Sequence, residues 1–385
     1  MTSSLVIAPQ WIGDAVMTEP LLRCLAARGE RVVVGALPWV APVYRAMPQV
    51  AQVLELPFAH GGLQWSARRA MARQLRGQFD VAYVCPNSFK SALLPWWADI
   101  PKRVGYLGEA RFGVLTHRVP NPPSGHRPPM VAFYSALASA LQPTNASPPP
   151  ESVPQISLTP ERCAAVLAPL GLQQRGYVVL SPGAEYGPAK RWPAAHFAAL
   201  ARQLPMPVVL LGSTKERALC AEIAQAANAG RAGPCLDLSG RTALDEALAL
   251  VAQAHALVSN DSGLMHVAAA FGTRQVALFG SSSPLHTPPL SPQATVIWLR
   301  DDPAYTPPLD CAPCFARTCP LGHTRCLADI APERVLALLS RPDKKKPPCG
   351  GFVKVPEGTS LDSVRANHLG DSPIGGGTVT AVSGL

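Results

Sequence analysis

Apolar residues in this chain fall into short unbroken runs separated by longer amphipathic stretches, the pattern of strands buried on both faces alternating with helices that cover them. Leu5 to Pro9 reads as a strand, followed by the Gly-containing turn Gln10-Trp11-Ile12-Gly13-Asp14 and a helix over Ala15 to Ala27 that stops at Gly29. Arg31 to Leu37 is the next strand, Ser66 to Leu75 a helix, and Val81 to Cys85 another strand. Strand and helix keep alternating, which predicts βαβ units, a parallel sheet and a Rossmann-like domain.

The rhythm breaks between Pro143 and Pro160, where Pro, Ser and Thr dominate around Pro148-Pro149-Pro150, so this stretch reads as an interdomain linker. It then restarts. Tyr177 to Ser181 is a strand, Pro182 to Arg191 a loop, and Pro193 opens a helix. Strands follow at Val208 to Leu211, Ala256 to Ser259 and Gln275 to Phe279, with Thr242-x-x-Asp245 capping a helix between them. A last short helix spans Pro332 to Leu339. The expected organisation is one α/β domain over residues 1–150, a second over 151–342, and a Lys/Pro- then Gly/Ser-rich tail over 343–385 too poor in large apolar residues to fold. No internal repeat of fixed period is visible.

A length of 385 residues fits two domains better than one core, and 48% hydrophobic against 15% charged residues excludes a wholly disordered chain. No apolar run is long enough to span a membrane, and Met1 to Pro9 lacks the features of an export signal. The ten cysteines are therefore expected as thiols in a reducing compartment. A net charge of +9 favours anionic partners, but no nucleic-acid motif accompanies it, so nucleic acid is not expected among them.

Candidate chemistry concentrates where strands end. Ser259 to Ala270 runs from a strand through a polar, Gly-containing turn into a helix, so free backbone amides converge where an anion such as a diphosphate would sit. Asp261 or Ser262 is equally a plain helix cap there, and His266 inside the helix is more naturally a packed histidine than a catalyst. Ser181 to Pro193 ends a strand in a Gly/Pro-rich loop carrying Lys190 and Arg191, a second phosphate clamp. Asp14, in the turn after the first strand, is either a first-turn acid or a base for a sugar hydroxyl. The chain contains no G-x-G-x-x-G, no P-loop and no D-x-D pair, which argues against dinucleotide, NTPase and metal-bridged sugar-nucleotide chemistry. Cys311, Cys314, Cys319 and Cys326, with His323 nearby, form a C-x2-C-x4-C-x6-C run that would suit a structural metal, although the spacing is not a standard zinc pattern.

Ile12 to Pro20 (IGDAVMTEP), Ser181 to Pro193 (SPGAEYGPAKRWP), Asn260 to Ala270 (NDSGLMHVAAA) and Ser281 to Leu290 (SSSPLHTPPL) resemble, in this order, glycosyltransferase family 9, with similarity from Leu5 to about Leu339. The resemblance implies a GT-B fold, two Rossmann-like domains facing across a cleft, with acceptor binding in the first and donor binding in the second. It implies an inverting transferase that moves L-glycero-D-manno-heptose from ADP-heptose to the first heptose of heptosyl-Kdo2-lipid A in lipopolysaccharide synthesis, without metal or cofactor. Asp14 then matches the family's proposed base, Lys190 its diphosphate-binding lysine with Arg191 assisting, and Glu216 an acid that binds the ribose hydroxyls. Asp261, Ser262 and Gly263 would complete the phosphate cradle. The implied acceptor is an anionic lipid precursor at the cytoplasmic face of the inner membrane, for which Lys90, Lys102, Arg103 and Arg111 are expected contacts. Leu93 to Trp97 either touches lipid or belongs to the core. The alternatives are another family 9 transferase with a different acceptor and a binding protein without catalysis, and the presence of both Asp14 and Lys190 speaks against the second. The cysteine run with Pro320 to His323 resembles a segment found in only some members, which separates it from the chemistry.

Overall fold

The computed structural model describes residues 1–59, 62–123, 128–142, 153–229 and 233–341, so the first part of the expected linker and the tail lie outside the described residues. In the first half, β1 (Ser3–Ile7), β2 (Arg31–Ala36), β3 (Gln52–Glu55), β4 (Val81–Val84), β5 (Lys102–Tyr106) and β6 (His117–Val119) form one sheet in the order β3-β2-β1-β4-β5-β6. In the second half, β7 (Val178–Ser181), β8 (Val208–Leu210), β9 (Cys235–Asp237), β10 (Ala256–Asn260), β11 (Gln275–Phe279) and β12 (Ala294–Trp298) form another in the order β9-β8-β7-β10-β11-β12. Every ladder is parallel. The two sheets thus share one topology, and each reverses its direction of growth once, between β1 and β4 and between β7 and β10. Open sheets of this kind leave a crevice beyond the carboxyl ends of the strands at that reversal.

The central strands are buried throughout, which is why they read as continuous apolar runs. One apolar cluster covers facing sides of both halves, joining Val6, Val16, Leu21 and Tyr44 to Leu248, Leu257 and Val267. Two further clusters pack the far faces, one around Leu180, Phe197 and Val335 and one around Leu5, Val33 and Leu93.

Two helices meet at the seam. Helix Ile12–Met17 packs on helix Gly263–Phe271, and each carries a glycine in its first turn, Gly13 and Gly263, because the two elements approach so closely there. A Cβ on Gly263 would lie 2.8 Å from Ile12 Cβ, and one on Gly13 would lie 2.8 Å from His266 Cδ2.

Several expected boundaries shift for local reasons. The helix expected over Ala15 to Ala27 is two helices, Ile12–Met17 and Glu19–Ala27, because Pro20 has no amide with which to continue the first. The helix after Thr242 starts at Leu244, and its first free amide, on Ala243, is met by Glu246 at 2.7 Å rather than by a Thr242-Asp245 box. Asp245 instead pairs with Arg162.

Candidate active site

The turn after β1 is short, and helix Ile12–Met17 begins at once, placing Asp14 in its first turn at the reversal of the first sheet. The side chain is half-buried in a cavity of about 720 Å³ with Arg68, Asn87, Lys90, Glu109 and Tyr134 on its walls. Burial pushes the Asp14 carboxyl up to about 6, the nearby Asp261 carboxylate adds to this, and a hydrogen bond with Tyr134 opposes it. Asp14 is therefore ionised at neutral pH yet able to hold a proton briefly, which suits a general base.

The second half supplies the opposite charge. Lys190 Nζ lies 2.6 Å from Asp261 Oδ2, with both side chains largely buried, and the two line a cleft of about 910 Å³ together with Tyr186, Lys215, Ser262, Gly263 and Arg317. Gln10 and Trp11 line both cavities, so acid and cation address one continuous space. Ser262 stands at the N-cap position of helix Gly263–Phe271 but makes no side-chain capping bond, and its buried hydroxyl has no hydrogen-bond partner among the described residues. Asp261 pairs with Lys190 instead of capping the helix. His266, buried against Gly13, is pushed down to about 4 by burial and stays neutral at physiological pH, as a packed histidine should.

The loop that carries Lys190 is held on three sides. The Asn260 amide donates to Pro182 O at 2.7 Å and its Oδ1 accepts from Trp192 N at 2.9 Å. Glu216 stands where a Gly183 side chain would be, its Oε2 accepting from Ser213 N at 2.7 Å and Ser213 Oγ at 3.0 Å. On the outer side, Ala189 N donates to Arg317 O at 3.0 Å, and Arg317 Nε donates to Tyr186 O at 2.8 Å.

Other expected contacts fall elsewhere. Arg191 directs its guanidinium to Ala184 O at 3.4 Å, a brace within the loop. Lys102 and Arg103 open β5, at the end of the strand opposite the cleft, and Arg103 spends its donors on Val114 O and Ile100 O, both at 2.6 Å. The structure does not bring this pair to the site. Arg111 is fully buried, donating to Pro86 O at 2.8 Å and Asn87 Oδ1 at 3.2 Å, with burial pulling it down to about 10. It is a structural brace, not a surface contact. Trp96 is 42% exposed and stacks on Trp97, which meets the half-exposed Trp65, so Trp96 does not belong to the core. Sequence reasoning missed Tyr134, Arg68 and Arg317, which sit outside any strand-end motif and reach the cavities only through the fold, and it passed over Tyr186 although that residue lies within Ser181 to Pro193. Asn260 lay inside a quoted motif, but only its contacts reveal that it ties two strand ends together.

A family model described as glycosyltransferase family 9 (heptosyltransferase) matches residues 68–324. Lipopolysaccharide heptosyltransferase 2 of Escherichia coli K12 is 40% identical over 347 residues, spanning 87% of this chain and 97% of its own length. Lipooligosaccharide heptosyltransferase 2 of Haemophilus influenzae is 39% identical over 306 residues, spanning 77% and 88%. The solved structure of E. coli ADP-heptose lipopolysaccharide heptosyltransferase II aligns with a TM-score of 0.75 at 39% identity, covering 88% of this chain and 98% of that one. Two parallel sheets of one topology facing across a shared cleft make this the GT-B fold. With the acid on one half, the cation on the other and similarity along almost the whole chain, the protein belongs to glycosyltransferase family 9, the heptosyltransferases.

Proposed function

We propose that this enzyme transfers heptose from ADP-heptose to the heptose of a heptosyl-Kdo2-lipid A acceptor, with inversion at the anomeric carbon. The observation that carries the reading is the meeting of Asp14, raised to about 6, with the buried Lys190–Asp261 pair across the seam. The acceptor hydroxyl gives its proton to Asp14 while its oxygen attacks the anomeric carbon, and the bond to the ADP oxygen breaks on the opposite face. One displacement of this kind inverts the centre. The charge that gathers on the departing diphosphate faces the Lys190 ammonium and the first amides of helix Gly263–Phe271, which act hardest when that charge is greatest. Asp14 then passes its proton to water, which is favourable above about pH 6. Ser262 Oγ offers a further polar contact, and Glu216, fixed by Ser213, takes the ribose hydroxyls.

The acceptor side of the reading draws on the first-half cavity, where Lys90 supplies a cation for Kdo carboxylates and lipid A phosphates, while Arg68, buried and donating to Leu63 O at 2.7 Å, braces the wall. Peripheral contact with the cytoplasmic face of the inner membrane belongs to the same reading. Trp65 and Trp96 are exposed beside Trp97, and helix Trp65–Leu75 carries the exposed Arg69 and Arg73 and no acid, a combination suited to an anionic lipid interface. No helix among the described residues is long and apolar enough to cross a membrane. The test is incubation with ADP-heptose and defined truncated acceptors, with mass spectrometry of the product. Gain of one heptose on the monoheptosyl acceptor alone is expected, and transfer only to an acceptor lacking heptose would assign the enzyme to the preceding step.

A further inference from the structure

Between Asp302 and Thr324 the chain forms neither helix nor strand, a stretch on the order of twenty residues that compact domains rarely carry without a function. It contains Cys311, Cys314 and Cys319, and Cys326 follows in the short helix Arg325–Ala328. Although spread along the chain, all four line one small cavity of about 20 Å³, with His323, Ser281 and Ala189 completing its wall. That is room for one water or one ion. All four are free thiols. Cys319 and Gly322 close a turn, Gly322 N donating to Cys319 O at 3.2 Å, which holds this cysteine at the cavity wall.

We propose that Cys311, Cys314, Cys319 and Cys326 form a structural site for one thiophilic metal ion of the zinc or iron class. Among the described residues no three such side chains already stand in metal-holding geometry, so binding would require the sulfurs that ring the cavity to move inward, each coordinating thiol releasing its proton. The ion's role is to fix the irregular stretch against the donor loop. Ala189 is in the cavity wall, while the adjacent Lys190 lines the cleft. Tyr186 donates to Phe315 O at 2.9 Å, and Phe315 N donates to Ser281 O at 2.7 Å. Gly187 lies so close to this stretch that a Cβ there would be 2.4 Å from Arg317 O. The same stretch thus carries the cysteines and buttresses the lysine loop from outside. This role rests on the donor reading above, whereas the metal content does not.

The test begins with elemental analysis of the untagged full chain purified without chelator, where about one zinc or iron per chain is expected. Changing all four cysteines to Ser should abolish the metal, speed proteolysis within 302–324, and raise the KM for ADP-heptose severalfold with kcat little changed. As a check independent of that variant's folding, titrating the wild-type thiols with an organomercurial should release the ion to a chromogenic chelator. Metal below about a tenth of an ion per chain, persisting after the reduced protein is incubated with Zn²⁺ or anaerobic Fe²⁺, would overturn the proposal. Undiminished metal in the Ser variant would do the same. Loss of the metal with an unchanged donor KM would overturn its link to the donor loop.

Discussion

The two sheets share one strand order, yet the equivalent loops after β1 and β7 carry opposite charges by different means. After β1 the turn is short and Asp14 lies within the first turn of the next helix, where burial by surrounding side chains shifts its proton affinity. After β7 the chain runs from Pro182 to Pro193 before its helix, and Lys190 reaches back to Asp261 at the end of β10. A short turn into packed helix provides desolvation. A cation carried to a partner at another strand end needs reach, and the long loop that gives reach is braced by Asn260, Glu216 and Arg317.

The sharpest way to break this contrast is Asp14→Asn, expected to lower kcat by ~10²- to 10⁴-fold while donor binding stays within a few-fold. The same change should stabilise the protein at pH 8. A carboxyl that titrates at 3.8 unfolded and at about 6 folded takes up protons on folding, so the native state loses stability as pH rises through that window and stays penalised above it. Removing the charge should recover on the order of 2 to 3 kcal/mol, read as a raised denaturation midpoint. A variant both inactive and less stable would show that the carboxylate is structural.

Lys190→Ala comes next, with a loss of roughly 1.5 to 3 kcal/mol in kcat/KM for ADP-heptose. It also strips Asp261 of its counterion, so the acid limb of the pH-rate profile should move up from about 6. Arg191→Ala, whose guanidinium braces Ala184 O, should cost less. Equal losses for the two would argue against assigning the diphosphate to Lys190 alone.

Asp261→Asn isolates the coupling between the halves. With the neighbouring carboxylate neutralised, the acid limb should shift below about 6, and an unmoved limb would mean burial alone raises Asp14. The smallest effects separate two lysines. Lys90→Ala should raise the acceptor KM severalfold from its place on the first-half cavity, whereas Lys102→Ala, at the far end of β5, should leave steady-state kinetics unchanged.

What could be read in advance follows from the range of the forces involved. The buried central strands and the strand-end motifs around Asp14, Lys190 and Ser262 are local patterns, and they stand where the sequence puts them. The charged start of β5 hides a strand, because Lys102 and Arg103 mask the apolar Val104 to Tyr106 that follows. The placement of Lys102, Arg103 and Arg111 away from the cleft is illegible for a related reason. A basic residue looks the same in sequence whether it meets solvent, as Lys102 does, or spends its donors on buried carbonyls, as Arg111 does. Tyr134 and Arg317 reach the cavities only through contacts between distant segments, which no local pattern records.

The apolar cluster that passes from the first sheet's helices to Leu248, Leu257 and Val267 has a mechanical consequence. Two bodies that share a core melt together in a single cooperative transition, and neither keeps its shape when the other is cut away. Any opening of the cleft would then pivot about the glycine pair at the seam, where the two halves are most closely packed. Asp14 follows Gly13, and Asp261, the partner of Lys190, precedes Gly263 by two residues, so such an opening would alter their spacing less than that of the distal rims.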